Sequence, residues 1–139
     1  MSSEILALAV IAILAASMWI PYIVGVNTAE PDSAARIDAG DFKRPADPSL
    51  QRPWVHRAYR AHLNLLEQGM PFAVLILIAH MLSVSSSATV LAAWAFVTLR
   101  GVHALGMITG LTGFPARPII FTAGWLCCVV IFVEILRLG

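Results

Sequence analysis

Charged side chains are scarce in this chain. Asp, Glu, Lys and Arg make up 12% of its 139 residues, whereas an ordinary soluble domain has about 25%. Hydrophobic residues make up 59%, which is typical of a membrane protein. The formal net charge is only +1 and there is no basic patch with interleaved aromatic residues, which argues against a nucleic-acid-binding function.

Cysteine is almost as scarce. The two cysteines, Cys127 and Cys128, are adjacent within an apolar run, so they provide neither the spacing of a metal site nor a disulfide framework. We expect them to be packing residues of a membrane helix. The chain also lacks a basic segment before its first apolar run, and that run is too long for the core of a secretory signal, so we expect it to be a retained span.

Four segments are long and apolar enough to cross about 30 Å of hydrocarbon as helices. They cover residues 5–26, 53–82, 88–109 and 118–138. A polar segment rich in proline, residues 27–52, separates the first two and is expected to be a loop. The sequence therefore predicts an all-α fold, a transmembrane four-helix bundle that forms one membrane domain over residues 1–139.

The distribution of lysine and arginine predicts the orientation of the bundle. One side of the membrane receives most of these residues: Arg36, Lys43, Arg44, Arg52 and Arg117. The other side receives only Arg137. Because cytoplasmic loops are enriched in Lys and Arg, we expect the 27–52 loop to be cytoplasmic and both termini to lie outside.

The second span contains the most informative motif of the chain, Arg60-Ala-His-Leu-Asn64-Leu-Leu-Glu67 followed by Pro71. Arg60, Asn64 and Glu67 share one face of a helix. A charged residue near the centre of a bilayer costs about 3 kcal/mol on insertion scales, and such residues usually have a function. We therefore expect this polar stripe to face inward and to mark the functional site.

Arg100 and His103 in the third span lie on one helical face at a similar depth. An arginine inside a span should meet a carboxylate, a carbonyl group or an anionic ligand. Glu67 is the expected partner within the chain, and the alternative to a binding role is an Arg100–Glu67 pair that only holds the bundle together.

Arg117 precedes the fourth span in the turn Gly113-Phe-Pro-Ala-Arg-Pro118. Proline is favoured at the first helical position, so we expect Pro118 to begin the helix. The Arg117 guanidinium and free backbone N–H groups there would form a site for an anion or a thiolate. The alternative is an interfacial arginine that reaches lipid phosphate.

These motifs together resemble the MAPEG family, the membrane-associated proteins of eicosanoid and glutathione metabolism, which include microsomal glutathione transferases. The resemblance covers the Arg60–Glu67 motif, Arg-x-x-His at 100–103 and Pro-x-Arg at 115–117. It implies a left-handed four-helix bundle that assembles as a homotrimer and binds glutathione as co-substrate between subunits, near the cytosolic face. There are two departures: Met107 stands where family members commonly have a tyrosine that helps to hold glutathione, and the loop before Arg117 is slightly longer than in the mammalian enzymes.

The resemblance also implies a role for each site residue. Arg60, Asn64 and Glu67 match the positions that hold the glutathione peptide, Arg100 and His103 belong to the binding site on the third span, and Arg117 matches the arginine that stabilises the glutathione thiolate. The implied activity is a glutathione transferase or peroxidase acting on lipophilic electrophiles from the bilayer. No metal is implied.

Two other functions stay open at this stage. The first is a membrane binding or scaffold subunit that keeps the fold without the chemistry, which the absence of the tyrosine phenol at Met107 favours. The second is a haem protein, since a four-span bundle with four histidines could ligate iron. His62 and His103 would lie at similar depth, but His62 points away from the face of Arg60 and Glu67.

Overall fold

The computed structural model describes residues 1–28, 51–111, 113 and 115–139 of the chain. They form five helices: α1 Ser3–Ser17, α2 Trp19–Thr28, α3 Pro53–Met81, α4 Ser87–Thr109 and α5 Ala116–Leu138. With α1 and α2 taken together, four segments are long and apolar enough to span a membrane. The prediction of an all-helical chain with four such spans is confirmed. Most of the predicted 27–52 loop lies outside the described residues.

The first span is divided at Met18 into α1 and α2. The cause is Pro21, which has no N–H to donate to the carbonyl of Ser17 and whose ring crowds that carbonyl. Met18 adopts the conformation of a helix C-cap and donates its N–H to Leu14 O. The prediction of one span in this segment is confirmed, but the break at Met18 was not predicted.

The helices α3 and α4 are joined by the short connection 82–86 and pack against each other, and α5 packs against both. Ser86 begins α4 with a capping box, because its side chain accepts from the Thr89 N–H while the Thr89 hydroxyl accepts from the Ser86 N–H. In the interior, Phe72 of α3 stacks on Phe96 of α4 with ring centroids 4.1 Å apart. Burial of these rings fixes the register of the two helices.

Arg57 of α3 closes the C-terminal end of α4. Its Nε donates to Met107 O at 3.0 Å and its Nη2 to Ile108 O at 3.4 Å. A cation is favoured at this position because the unpaired carbonyl groups at a helix C-terminus are partially negative. Gly110 is the C-cap with φ of 81°, a conformation that favours glycine. This contact fixes the position of Met107 along the axis of α3.

The helix α5 begins at Ala116, two residues before the predicted start at Pro118. The N–H of Arg117 donates to Gly113 O at 3.1 Å, and the N–H of Ile119 donates to Pro115 O at 3.4 Å. Pro118 therefore occupies the third helical position, where its missing N–H has no intrahelical partner to lose. Arg117 lies within the first turn of α5.

Candidate functional site

The buried polar side chains of α3 and α4 converge on the first half of α5. Asn64, Gln68, Arg100 and His103 are each at most 7% exposed. They come from two helices, and the backbone of α5 accepts hydrogen bonds from two of them, Gln68 and Arg100. A buried polar group is costly unless it is hydrogen-bonded, so a layer of this kind is a candidate functional site.

Gly124 allows Arg100 and Gln68 to reach the α5 backbone. Arg100 Nη2 donates to Ile120 O at 3.0 Å, and Gln68 Nε2 donates to Phe121 O at 3.0 Å. A Cβ atom at Gly124 would lie 2.6 Å from Gln68 Oε1 and 2.9 Å from Arg100 Nη2. The absence of a side chain at this position is therefore a condition for both contacts.

Arg100 is 1% exposed and has aromatic neighbours as well as a carbonyl partner. Its Cζ lies 5.7 Å from the ring centroid of Phe96 and 5.5 Å from that of Phe121, which is within the range of cation–π attraction. The predicted partner, Glu67, does not contact it. The expectation of an Arg100–Glu67 pair is wrong, because a helix carbonyl and two rings take the place of the carboxylate.

Arg60 and Glu67 lie on the outer surface of the protomer. Neither forms an ion pair with another described residue. The one ion pair among the described residues joins Arg137 to Glu134. Within the protomer, Asn64 lies on the buried face at 5% exposure, whereas Arg60 and Glu67 lie outside it. On α3, Asn64 and Glu67 are about 60° apart, and the edge of the buried face runs between them.

Asn64 faces Met107 of α4. The Asn64 Nδ2 donates to the Met107 sulfur at 3.3 Å, and Met107 is 4% exposed. His103, one turn before Met107, is 2% exposed and its Nε2 has no partner among the described residues. A thioether is a weak acceptor, so the Asn64 amide and the imidazole both keep unused hydrogen-bonding capacity on this side of the layer.

Arg117 is exposed and lines an open pocket of about 290 Å³ together with Asn64, Pro118, Phe121 and Thr122. The structure therefore brings Arg117 and Asn64 to one cavity, although they are far apart in sequence. The start of α5 has fewer free backbone N–H groups than predicted, because the Arg117 N–H donates to Gly113 O and Pro118 has no N–H. The guanidinium is the group that Arg117 offers to an anion here.

A second, largely apolar groove of about 390 Å³ adjoins this pocket along α5. It shares Pro118 and Thr122 with the first pocket and continues past Ile119 and Ala123 to Leu126. The pocket that contains Arg117 and the apolar groove therefore lie next to each other along α5.

Gln68 is a residue of this layer that was not predicted from the sequence. It lies one turn after Asn64 and is the other buried amide of α3, at 7% exposure. The spacing of four residues within an apolar span was the available signal. Gln68 is next to Glu67 in the same motif but lies on the buried side of α3.

A comparison with models of known protein families gives one match. The model of the MAPEG family matches residues 6–137, which is nearly the full chain. A comparison with curated proteins gives no match.

Proposed function

The chain belongs to the MAPEG family, which includes glutathione transferases and eicosanoid synthases, and from this premise we propose that it is a membrane glutathione transferase or peroxidase. Glutathione is the co-substrate, and the second substrate is a lipophilic electrophile dissolved in the bilayer. The observation that most strongly supports the proposal is the pocket in which Arg117 and Asn64 lie beside the apolar groove of α5.

Arg117 has the chemistry that the reaction needs. The thiolate of glutathione is the nucleophile, and a guanidinium close to a thiol lowers its pKa by favouring the anion. Because Arg117 is exposed to the pocket rather than paired with a carboxylate of the described chain, its charge is available to a ligand. No protein nucleophile is required, since glutathione supplies the sulfur.

Arg60 and Glu67 support a binding site between subunits. A charged side chain near the bilayer centre costs about 3 kcal/mol on insertion scales, and Glu67 lies halfway along α3 on the protomer surface. Assembly as a homotrimer would remove this surface from lipid. The charges of glutathione, one ammonium and two carboxylates, complement a carboxylate and a guanidinium that lie two turns apart on α3.

Arg100 and His103 act behind the pocket in this proposal. Both neighbour Phe121, which lines the pocket: the His103 and Phe121 ring centroids are 6.4 Å apart, and Arg100 Cζ is 5.5 Å from the Phe121 centroid. By holding Ile120 O, Arg100 fixes the first turns of α5 and with them Arg117. His103 Nε2 is buried and has no partner among the described residues.

The electrophile would enter from the bilayer along the apolar groove. This groove meets the thiolate pocket at Pro118 and Thr122. A lipophilic substrate bound there would place its reactive carbon or peroxide oxygen next to the sulfur, and proximity of this kind accelerates the reaction without further catalytic groups.

A titration of the solubilised protein with glutathione tests the proposal. We expect saturable binding and an ultraviolet absorbance increase from thiolate at neutral pH, where free glutathione is mostly thiol. The Met107 position supports the competing scaffold function, because the phenol is replaced by a sulfur that already accepts from Asn64. If millimolar glutathione produces neither binding nor thiolate, the scaffold function replaces the enzyme.

A further inference from the structure

A second polar cavity lies at the opposite end of the bundle, where α1 begins and α3 ends. It measures about 130 Å³ and is lined by Ser2, Glu4, His80, Ser83 and Ser85 with apolar walls from Ile76, Ala79 and Val84. None of these residues belongs to the proposed glutathione site. It lies at the ends of two candidate membrane spans, where we expect the membrane interface.

The carboxylate of Glu4 is buried in this cavity with one oxygen unused. Glu4 is 5% exposed. Ser85 Oγ and Thr89 Oγ1 both donate to Oε1, at 2.7 and 2.8 Å. Oε2 is buried and has no partner among the described residues. Burial of a carboxylate oxygen without a hydrogen bond costs free energy, so a ligand that donates a hydrogen bond to Oε2 would be favoured.

No cation of the described chain neutralises Glu4. The ion pair at this end joins Arg137 to the other buried carboxylate, Glu134, which also accepts from Ser86 Oγ at 2.7 Å. His80 lines the cavity without an ion pair to Glu4, and Met1 at the N-terminus is 89% exposed. Two carboxylates thus occupy similar positions, and only one has a cationic partner.

We propose that this cavity binds a primary ammonium group on a short alkyl stem, the chemistry shared by the ethanolamine headgroup of an aminophospholipid and by a free amine. Glu4 Oε2 would accept one N–H, and the hydroxyl oxygens of Ser2, Ser83 and Ser85 are acceptors for the others.

The side chains present favour an ammonium over a divalent metal. Calcium takes six to eight oxygen ligands, and structural zinc takes about four nitrogen or sulfur ligands. The described residues contain no group of three or more His, Cys, Asp and Glu side chains that could hold a metal ion. One carboxylate matches a single positive charge, and Ile76, Ala79 and Val84 suit methylene groups.

Thermal unfolding of the full-length protein in an amine-free detergent tests the proposal. Ethanolamine should raise the Tm saturably, because a ligand that binds only the folded state stabilises it. Choline, which has no N–H to donate, and sodium at the same ionic strength should not. Equal shifts from ethanolamine and choline, or from ethanolamine and sodium, would overturn the proposal and leave water as the occupant of the cavity.

Three variants locate the effect. Glu4→Gln should abolish the ethanolamine shift, whereas the matched control Glu134→Gln should retain it. Ser83→Gly removes one hydroxyl at a residue with φ of 57°, where glycine is favoured and folding is safe, and should raise the ethanolamine concentration needed. An undiminished shift in both Glu4→Gln and Ser83→Gly, or in Ser83→Gly alone if Glu4→Gln fails to fold, contradicts the site.

The two sources of the ammonium are distinguished in nanodiscs. If the ligand is a lipid headgroup, phosphatidylethanolamine should raise the Tm above that in phosphatidylcholine and should remove the response to added ethanolamine, and Glu4→Gln should lose both effects. If the ligand is a free amine, the response to ethanolamine should persist in both lipids. Loss of the ethanolamine response in both lipids would contradict the proposal.

Discussion

Replacement of Gly124 by alanine tests whether the contact of Arg100 and Gln68 with α5 holds the site together. The new Cβ would lie 2.6 Å from Gln68 Oε1, 2.9 Å from Arg100 Nη2 and 3.2 Å from Arg100 Cζ. Both side chains are buried and are held by backbone carbonyl groups at 3.0 Å. They cannot retreat without losing those hydrogen bonds, so α5 must shift or the bonds must break.

The expected cost follows from two destabilising effects and one stabilising effect. Overpacking of a buried site costs about 1–3 kcal/mol, and loss of a hydrogen bond from a charged donor about 1.5–3 kcal/mol. Alanine is about 1 kcal/mol more favourable than glycine inside a helix. We therefore expect a net destabilisation of roughly 2 kcal/mol or more. Glutathione binding should also weaken, because the part of α5 that lines the pocket with Pro118, Phe121 and Thr122 is displaced.

Gly101→Ala is the matched control. Gly101 lies inside α4, and a Cβ there would meet nothing within 4 Å in the protomer. This variant should be neutral or stabilised by up to about 1 kcal/mol. The assay is the Tm of each variant in detergent, with glutathione affinity measured on the same preparations. If Gly124→Ala is as stable as Gly101→Ala, the buried Arg100 and Gln68 contacts do not hold α5.

Three further predictions concern the glutathione site and the assembly. Met107→Tyr should bind glutathione more tightly than Met107→Phe, a control of similar size, in an equilibrium binding assay. The expected gain is that of one hydrogen bond, about 0.5–1.5 kcal/mol or roughly two- to tenfold in affinity. Equal affinities would show that a phenol has no role at this position. Arg60→Ala and Glu67→Ala should weaken glutathione binding in the same assay, because these side chains would hold the charged groups of the peptide; unchanged binding by both would contradict a site on this surface. Mass measurement in mild detergent should give three copies of the chain, and a monomer that still binds glutathione would contradict a site between subunits.

The membrane fold follows from simple features of the sequence. Apolar runs of about 20 residues are enough to predict spans, and the four predicted segments correspond to the four helical segments that the structure describes. The division of the first span was also visible in principle, since Pro21 lies well inside it. It was missed because hydropathy measures the polarity of side chains and does not register the loss of a backbone donor.

The direction in which each polar face points was not predictable from one span alone. Helical periodicity relates Asn64 to Glu67, but it does not say which of the two faces the neighbouring helices. The partners of Arg100 were missed for a similar reason. A helix carbonyl becomes accessible to a side chain only where the facing residue is small, and this depends on the position of Gly124 in α5. Such contacts arise from the packing of distant segments.

The central claim is that Arg117 stabilises the thiolate of bound glutathione, and the thiolate absorbance of the glutathione complex as a function of pH tests it most directly. Arg117→Ala should still bind glutathione but should show a raised thiol pKa, with about tenfold less thiolate at neutral pH for each ~1.4 kcal/mol of lost stabilisation. Arg137→Ala, an arginine variant at the other end of the same helix, should titrate like the unmodified protein. A thiol pKa that is the same in Arg117→Ala and in the unmodified protein would contradict the account.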